Sequence, residues 1–152
     1  MRTTDVDWRA WLRRWDAQQT GYLLEREARF ATMFDVLDIL LPPDFVAVDL
    51  GCGPGSLARR LLDRFPGARC IAVDLDPVLL TMGRRVHGTV GGRLTWVDAD
   101  LRDPDWPRAL PADRVDAVLS TTALHWLPSD ALARLYRVLG TLLGEGGMFR
   151  PS

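Results

Sequence analysis

The 152-residue chain contains no lysine: all 19 of its basic residues are arginine. That absence excludes the phosphate-binding P-loop, whose glycine turn depends on a lysine ammonium group. Otherwise the arginine usage reads as a coding bias with no functional content of its own. Cysteine is equally scarce, with only Cys52 and Cys70, one inside a glycine turn and one entering an apolar run. Two cysteines so placed form neither a disulfide framework nor a metal-ligand spacing, so no metal is expected. No apolar run reaches the length of a membrane helix, and the N-terminus opens on charged and aromatic residues rather than a signal-peptide core. The formal net charge is −1, which gives no reason to expect nucleic acid or a membrane as partner. The expectation is a reduced, cytoplasmic, soluble protein. Hydrophobic residues at 47% and charged residues at 26% suit one globular unit with a real core.

What the chain does have is alternation. Trp8, Trp11, Leu12 and Trp15 fit a short helix, and Leu23, Leu24, Phe30, Phe34, Leu37 and Leu41 recur at helical spacing over roughly 22–41. Pro42-Pro43 stops that helix. Strand-like runs then follow at Phe45–Leu50, Cys70–Asp74, Leu94–Val97 and Val115–Ser120. Between them, Leu57–Phe65 reads as a helix. A second begins at Asp76-Pro77, with Asp76 as cap and Val78, Leu79, Met82 and Val86 inward. Ser129 is expected to cap a third helix running to about Leu143, and Gly146–Phe149 to begin a fifth strand. Such a pattern predicts an α/β fold: a mostly parallel, doubly wound Rossmann-like sheet with N-terminal helices, stopping after the start of strand five. Residues 1–43 read as an N-terminal helical cap and 44–152 as the sheet domain.

The most informative segment is Val46-Ala47-Val48-Asp49-Leu50-Gly51-Cys52-Gly53-Pro54-Gly55. A buried strand that ends in an acid and runs into a glycine turn and a helix is how open α/β sheets build a ligand crevice. Gly51 and Gly53 let the backbone turn sharply and lie directly against a ligand. Asp49, Asp74 and Asp100 sit at or just past the carboxyl ends of successive strands, positions that converge on one edge of a parallel sheet. Asp74 follows the turn by about two dozen residues, the spacing at which a carboxylate bonds the hydroxyls of a ribose. The glycines fall at 51, 53 and 55 with serine at 56, which departs from the G-x-G-x-x-G of nicotinamide and flavin sites.

These residues resemble a class I methyltransferase, the seven-strand fold that uses S-adenosyl-L-methionine. The matching segments are VDLGCGPG at 48–55, AVDLDP at 72–77, VDADL at 97–101, DAVLSTTALHWL at 116–127 and LLGEGGMF at 142–149. The HWLP string and the aromatic N-terminal helices resemble small-molecule methyltransferases, including the trans-aconitate methyltransferase-like group. The resemblance implies that Asp49, Gly51, Cys52 (by its backbone) and Gly53 hold the methionine part of the cofactor. It implies that Asp74 takes the ribose hydroxyls, Leu75 covers one adenine face, Asp100 accepts from the adenine amino group and Leu101 offers its N–H. Ser120 and Thr121 would line the pocket near the sulfonium. Apart from the resemblance, Trp106 sits in a Pro-bounded loop and is a candidate to close over the adenine edge. The implied partner is a small-molecule methyl acceptor taking the methyl group on O, N or C. The family continues through strands six and seven, so an edge at strand five is open to a second copy of the chain.

His125, one of two histidines, follows the fourth strand and is a candidate catalytic base; a packing histidine is the plainer reading. His87 is expected in a solvated glycine loop. Trp11 and Trp15 are expected to pack, while Tyr22, Arg26 and Arg29 are open, with an arginine there able to pair with a carboxylate. Asp100 rather than Asp98 is placed in the site because only Asp100 clears the strand end. A methyltransferase of a small molecule is the leading expectation. A cofactor-binding module without catalysis is the alternative, and a nucleotide-dependent oxidoreductase a distant third.

Overall fold

The computed structural model describes residues 5–22, 25–112, 115–121 and 124–151. Five helices, α1 (Trp8–Tyr22), α2 (Arg26–Leu40), α3 (Ser56–Arg64), α4 (Pro77–His87) and α5 (Ser129–Leu142), accompany five strands. The strands are β1 (Val46–Leu50), β2 (Arg69–Asp74), β3 (Leu94–Asp98), β4 (Val115–Ser120) and β5 (Leu143–Pro151). They form one sheet in the order β3-β2-β1-β4-β5, and every neighbouring pair is parallel. The chain builds outward from β1 through β2 to β3, then returns to place β4 on the other side of β1. Between β1 and β4 the strand order reverses, which is where open α/β sheets leave a crevice at the carboxyl ends.

The sheet is buried on both faces. On one, Ala47, Cys70, Ala72, Ala117 and Leu119 meet Phe30, Phe34 and Leu37 of α2, Leu57, Leu61 and Leu62 of α3, and Leu80 of α4. Three alanines on that face let the helices sit close. On the other, Val48, Leu50, Ile71, Val73 and Val118 pack against Leu135, Leu139 and Leu142 of α5. Phe65 closes the first core edge-on to both Phe34 and Phe45, at ring distances of 6.1 and 5.1 Å. One guanidinium nitrogen of Arg93 lies 3.2 Å from the carbonyl oxygens of Leu62, Phe65 and Ala68, so a cation tethers the end of α3. That charge also complements the negative end of the helix dipole.

The strands fall where the alternation predicts them, and Asp76 caps α4 by accepting the Val78 and Leu79 N–H groups at 2.9 and 3.2 Å. Several local expectations are corrected. The helix predicted over 22–41 begins at Arg26, because Glu25 takes a left-handed conformation (φ 64°) and breaks the chain direction. Tyr22 belongs instead to the end of α1, and Leu23 and Leu24 lie outside the described residues. Val78 is exposed, and Leu80 fills the core in its place. Ser129 is the first residue of α5 rather than its cap, and Pro128 in the capping position makes no side-chain bond. Trp106 does not reach toward a ligand: it is buried with Val115 and Leu124 in the second core. His87 ends α4 and stacks on Trp96 at 6.5 Å, with its Nε2 buried and partnerless, instead of lying in solvent. Trp11 is half exposed, its ring covered by the Arg14 guanidinium at 5.4 Å rather than by core.

Candidate functional site

The turn after β1 is held open by its neighbours. Gly51, Gly53 and Gly55 all have positive φ (68°, 54° and 85°), a region that side-chain-bearing residues avoid. The N–H groups of Gly51 and Cys52 donate to the Val73 carbonyl of β2 at 2.8 and 2.9 Å. The Gly53 N–H donates to Asp74 Oδ2 at 2.7 Å, and Asp74 Oδ1 accepts the Asp76 N–H at 2.8 Å. Asp74 therefore shapes two turns at once. Each of its oxygens keeps a second lone pair for a further donor.

Asp49 is in a different position. It is 1% exposed, and neither carboxyl oxygen has a hydrogen-bond partner. Its register partners are Ala72 on β2 and Leu119 on β4, apolar on both sides. Burial pushes its carboxyl up to about 8, repulsion from Asp74 adds to the rise, and the Ala58 amide of α3 opposes it from outside bonding geometry. A buried carboxyl left unsatisfied at both oxygens is rare in folded proteins.

The N-terminal helices close the site from above. Trp15 lies over the turn: a Cβ on Gly53 would come 3.5 Å from its ring. Asp16 of α1 receives the Ser56 hydroxyl at 2.7 Å and the Arg26 guanidinium at 3.1 Å, which joins α1, α2 and α3 at one carboxylate. Arg26 is 7% exposed and sits over Phe30 at 5.0 Å. Together with Trp15, Gln19, Gly51, Gly53 and Thr121 it borders a cavity of about 50 Å³, room for a water molecule or two. Sequence reasoning left Arg26 undecided and did not foresee Asp16 or Ser56. Arg29, also left open, is exposed on the outer face of α2.

The remaining expected residues are spread along the same edge. Leu75 follows Asp74 and is 51% exposed. Asp98 ends β3 opposite Asp74, and Asp100 lies beyond the strand end with Leu101 after it. Asp100 is already engaged: its carboxylate takes Arg102 Nε at 2.9 Å and Nη2 at 2.7 Å, and this pairing holds it below the usual carboxylate range. Ser120 is buried and donates to the Leu50 carbonyl at 3.0 Å, tying β4 to β1, while Thr121 borders the cavity. His125 lies in a short 3-10 turn, Leu124–Trp126. The Cys52 thiol is buried and pushed up, chiefly by burial and next by Asp49, so it is no nucleophile.

Trp96 explains the third glycine. Its ring from β3 occupies the space that a Cβ on Gly55 or Gly83 would need, and its Nε1 donates to the Gly88 carbonyl at 2.8 Å. Among the described residues no three His, Cys, Asp or Glu side chains are grouped to hold a metal, and no helix is long and apolar enough to cross a membrane.

A family described as a methyltransferase domain matches residues 47–147. The trans-aconitate 2-methyltransferase of Azoarcus sp. is 37% identical over 119 residues, covering 77% of this chain and 42% of that protein. The protein of the same name from Streptomyces avermitilis is 35% identical, again with 42% of its length covered. The chain thus spans less than half the length of these curated relatives. Among solved structures, SAM-bound CalS10, an amino pentose methyltransferase from Micromonospora echinaspora, superposes with a TM-score of 0.70 at 22% identity, covering 91% of this chain and 56% of that one. PKMT2 from Rickettsia typhi in complex with AdoHcy gives 0.63 at 18%, covering 73% and 21%. At these identities the structural likeness is one of fold.

Proposed function

The chain belongs to the family of methyltransferase domains, and on that premise we propose that it binds S-adenosyl-L-methionine along the carboxyl edge of β1, β2 and β4. We propose further that the acceptor is a small carboxylic acid of the kind for which its trans-aconitate relatives are named. The observation that carries the reading is at the glycine turn. The buried guanidinium of Arg26 borders the same cavity as Gly51 and Gly53, and the partnerless buried carboxyl of Asp49 lies in β1 just before that turn. An amino-acid end with its ammonium and carboxylate groups complements that pair.

In this reading Asp49 receives the ammonium group, Arg26 the carboxylate, and the turn amides lie against the chain between. Asp74 uses its spare lone pairs on the ribose hydroxyls. Leu75 supplies an apolar face for adenine. Asp100 accepts from the adenine amino group by giving up one of its Arg102 contacts, and Leu101 offers its N–H. Thr121 borders the sulfonium end, with Ser120 fixing the strand behind it and His125 on the acceptor side. Once bound, the cofactor brings a methyl carbon already activated by a positive sulfur. The work left to this chain is positioning and exclusion of water. A carboxylate acceptor carries no proton to be removed, so this reading needs no general base.

Calorimetric titration with S-adenosylhomocysteine and, separately, NADH tests the cofactor; a preference for NADH sinks the assignment. Incubation with labelled S-adenosylmethionine and a panel of carboxylic acids, phenols and amines tests the acceptor. Because the chain covers 42% of its relatives, a cofactor-binding module without catalysis is the second reading. Tight binding with no transfer to any acceptor would favour it.

A further inference from the structure

We propose that Asp49 is a proton-exchange point: it is a carboxylic acid in the empty domain and gives up its proton when an ammonium group is seated on it, so that cofactor uptake acidifies the solvent. This rests on the cofactor reading above and adds a linkage to it. The exchange balances as neutral carboxyl plus cationic ammonium going to a carboxylate–ammonium pair, with one proton released to water.

The geometry supplies the reason. Asp49 and Asp74 are two acids on adjacent strands, and they are provided for unequally. Asp74 has the Gly53 and Asp76 N–H groups to hold a carboxylate. Asp49 is 1% exposed and has no donor within bonding geometry among the described residues. Among the described residues nothing around it neutralises a negative charge. From β2 it faces a second acid, Asp74, and the buried Cys70 thiol, and from the turn the Cys52 thiol. From α3 it faces only the Ala58 amide. The charged groups brought by α1 and α2, Asp16 and Arg26, are paired with each other at 3.1 Å. An isolated buried carboxylate is costly enough that the group takes up a proton instead. Of two neighbouring acids, the one without donors is the one driven to the neutral form. The rise of Asp49 to about 8 agrees. An ammonium group placed against it reverses the balance, since an opposite charge favours the ionised form.

The test is titration of the wild-type domain with S-adenosylhomocysteine in two buffers of different ionisation heat, near pH 6.5. Close to one proton released per ligand bound is expected, with affinity tightening about tenfold per pH unit between about pH 5 and 7. Asp49→Asn should bind with a flat profile over the same range. In the empty wild type, infrared spectroscopy should show an un-ionised carboxyl band that Asp49→Asn lacks. Binding without proton release, or absence of that band, overturns the inference and leaves the cofactor reading intact. No binding at any pH overturns the cofactor reading, and the inference with it. Should the variant fail to fold, the two-buffer titration of the wild type decides the matter alone.

Discussion

The Asp74 carboxylate accepts the Gly53 amide N–H at 2.7 Å, so the acid that closes β2 also sets the conformation of the turn that closes β1. Its other oxygen holds the Asp76 amide at the entrance to α4. One side chain thus links the two loops between which the proposed cofactor lies. Asp74→Ala removes both links and the ribose acceptor together. Cofactor affinity is expected to fall by about 1–3 kcal/mol, measured by calorimetry with S-adenosylhomocysteine. Unchanged affinity would show that the ribose is held elsewhere.

Arg26 is the buried half of the junction among α1, α2 and α3. Arg26→Met keeps most of the apolar stem but leaves Asp16 with the Ser56 hydroxyl as its remaining partner. Because Asp16 is about a third exposed (31%), solvent screens part of the loss, and a drop of about 1.5–3 kcal/mol in unfolding free energy is expected. Urea titration measures it. Arg26→Lys should recover only part of the loss, since an ammonium group cannot offer the planar fork of a guanidinium.

Asp49 also gives the empty domain a distinctive pH dependence. Its folded-state value is raised to about 8 from 3.8, so between those limits the unfolded chain has released a proton that the folded chain retains. Stability from this group is therefore greatest below about pH 4 and declines by about 1.4 kcal/mol per pH unit up to about pH 8. His87, lowered mainly by burial, acts in the opposite sense and loses stability as pH falls through its unfolded value. Comparing chemical denaturation of wild type and Asp49→Asn across this range isolates the Asp49 contribution. A difference independent of pH would show that the buried carboxyl is ionised in the folded state.

His125→Gln distinguishes acceptor chemistries. A general base contributes about 10²–10⁴-fold to a proton-removing step. With a carboxylate acceptor kcat should hold within about tenfold of wild type, well short of that range. A loss of a hundredfold or more would mean that the acceptor surrenders a proton to His125, as a hydroxyl does.

The sheet was legible because its signals are local. Short apolar runs at 46–50, 70–74 and 115–120, rich in valine and separated by helix-like segments, read as buried strands. The three glycines announced the turn, and their positive φ values follow from the same absence of a Cβ. What escaped the sequence depends on partners distant along the chain. Nothing near Asp16 signals that it receives Ser56, 40 residues away. Trp106 looked like a loop aromatic until β4 and the 3-10 turn at Leu124–Trp126 closed around it. The helix break at Glu25 was invisible because glutamate is an ordinary helix residue; only its left-handed backbone reveals the corner. Asp100 was recognised by its place past β3, but its engagement by Arg102 depends on a loop geometry that spacing does not encode.

The indole of Trp96 has a consequence for how this chain can change. Gly83 sits inside α4 without any backbone need for glycine, yet an alanine there would press on the ring and come 2.8 Å from the Pro54 carbonyl oxygen. Gly55, at the mouth of α3, is confronted by the same ring. Gly83 inside α4 and Gly55 at the cap of α3 therefore both face a side chain belonging to the edge strand β3. A trimmer residue at 96 would remove the ring contact at both positions and forfeit the indole's bond to Gly88, but the left-handed backbone of Gly55 and the Pro54 carbonyl facing Gly83 would remain. The indole is thus a second constraint on these glycines, laid over the one that the backbone already imposes.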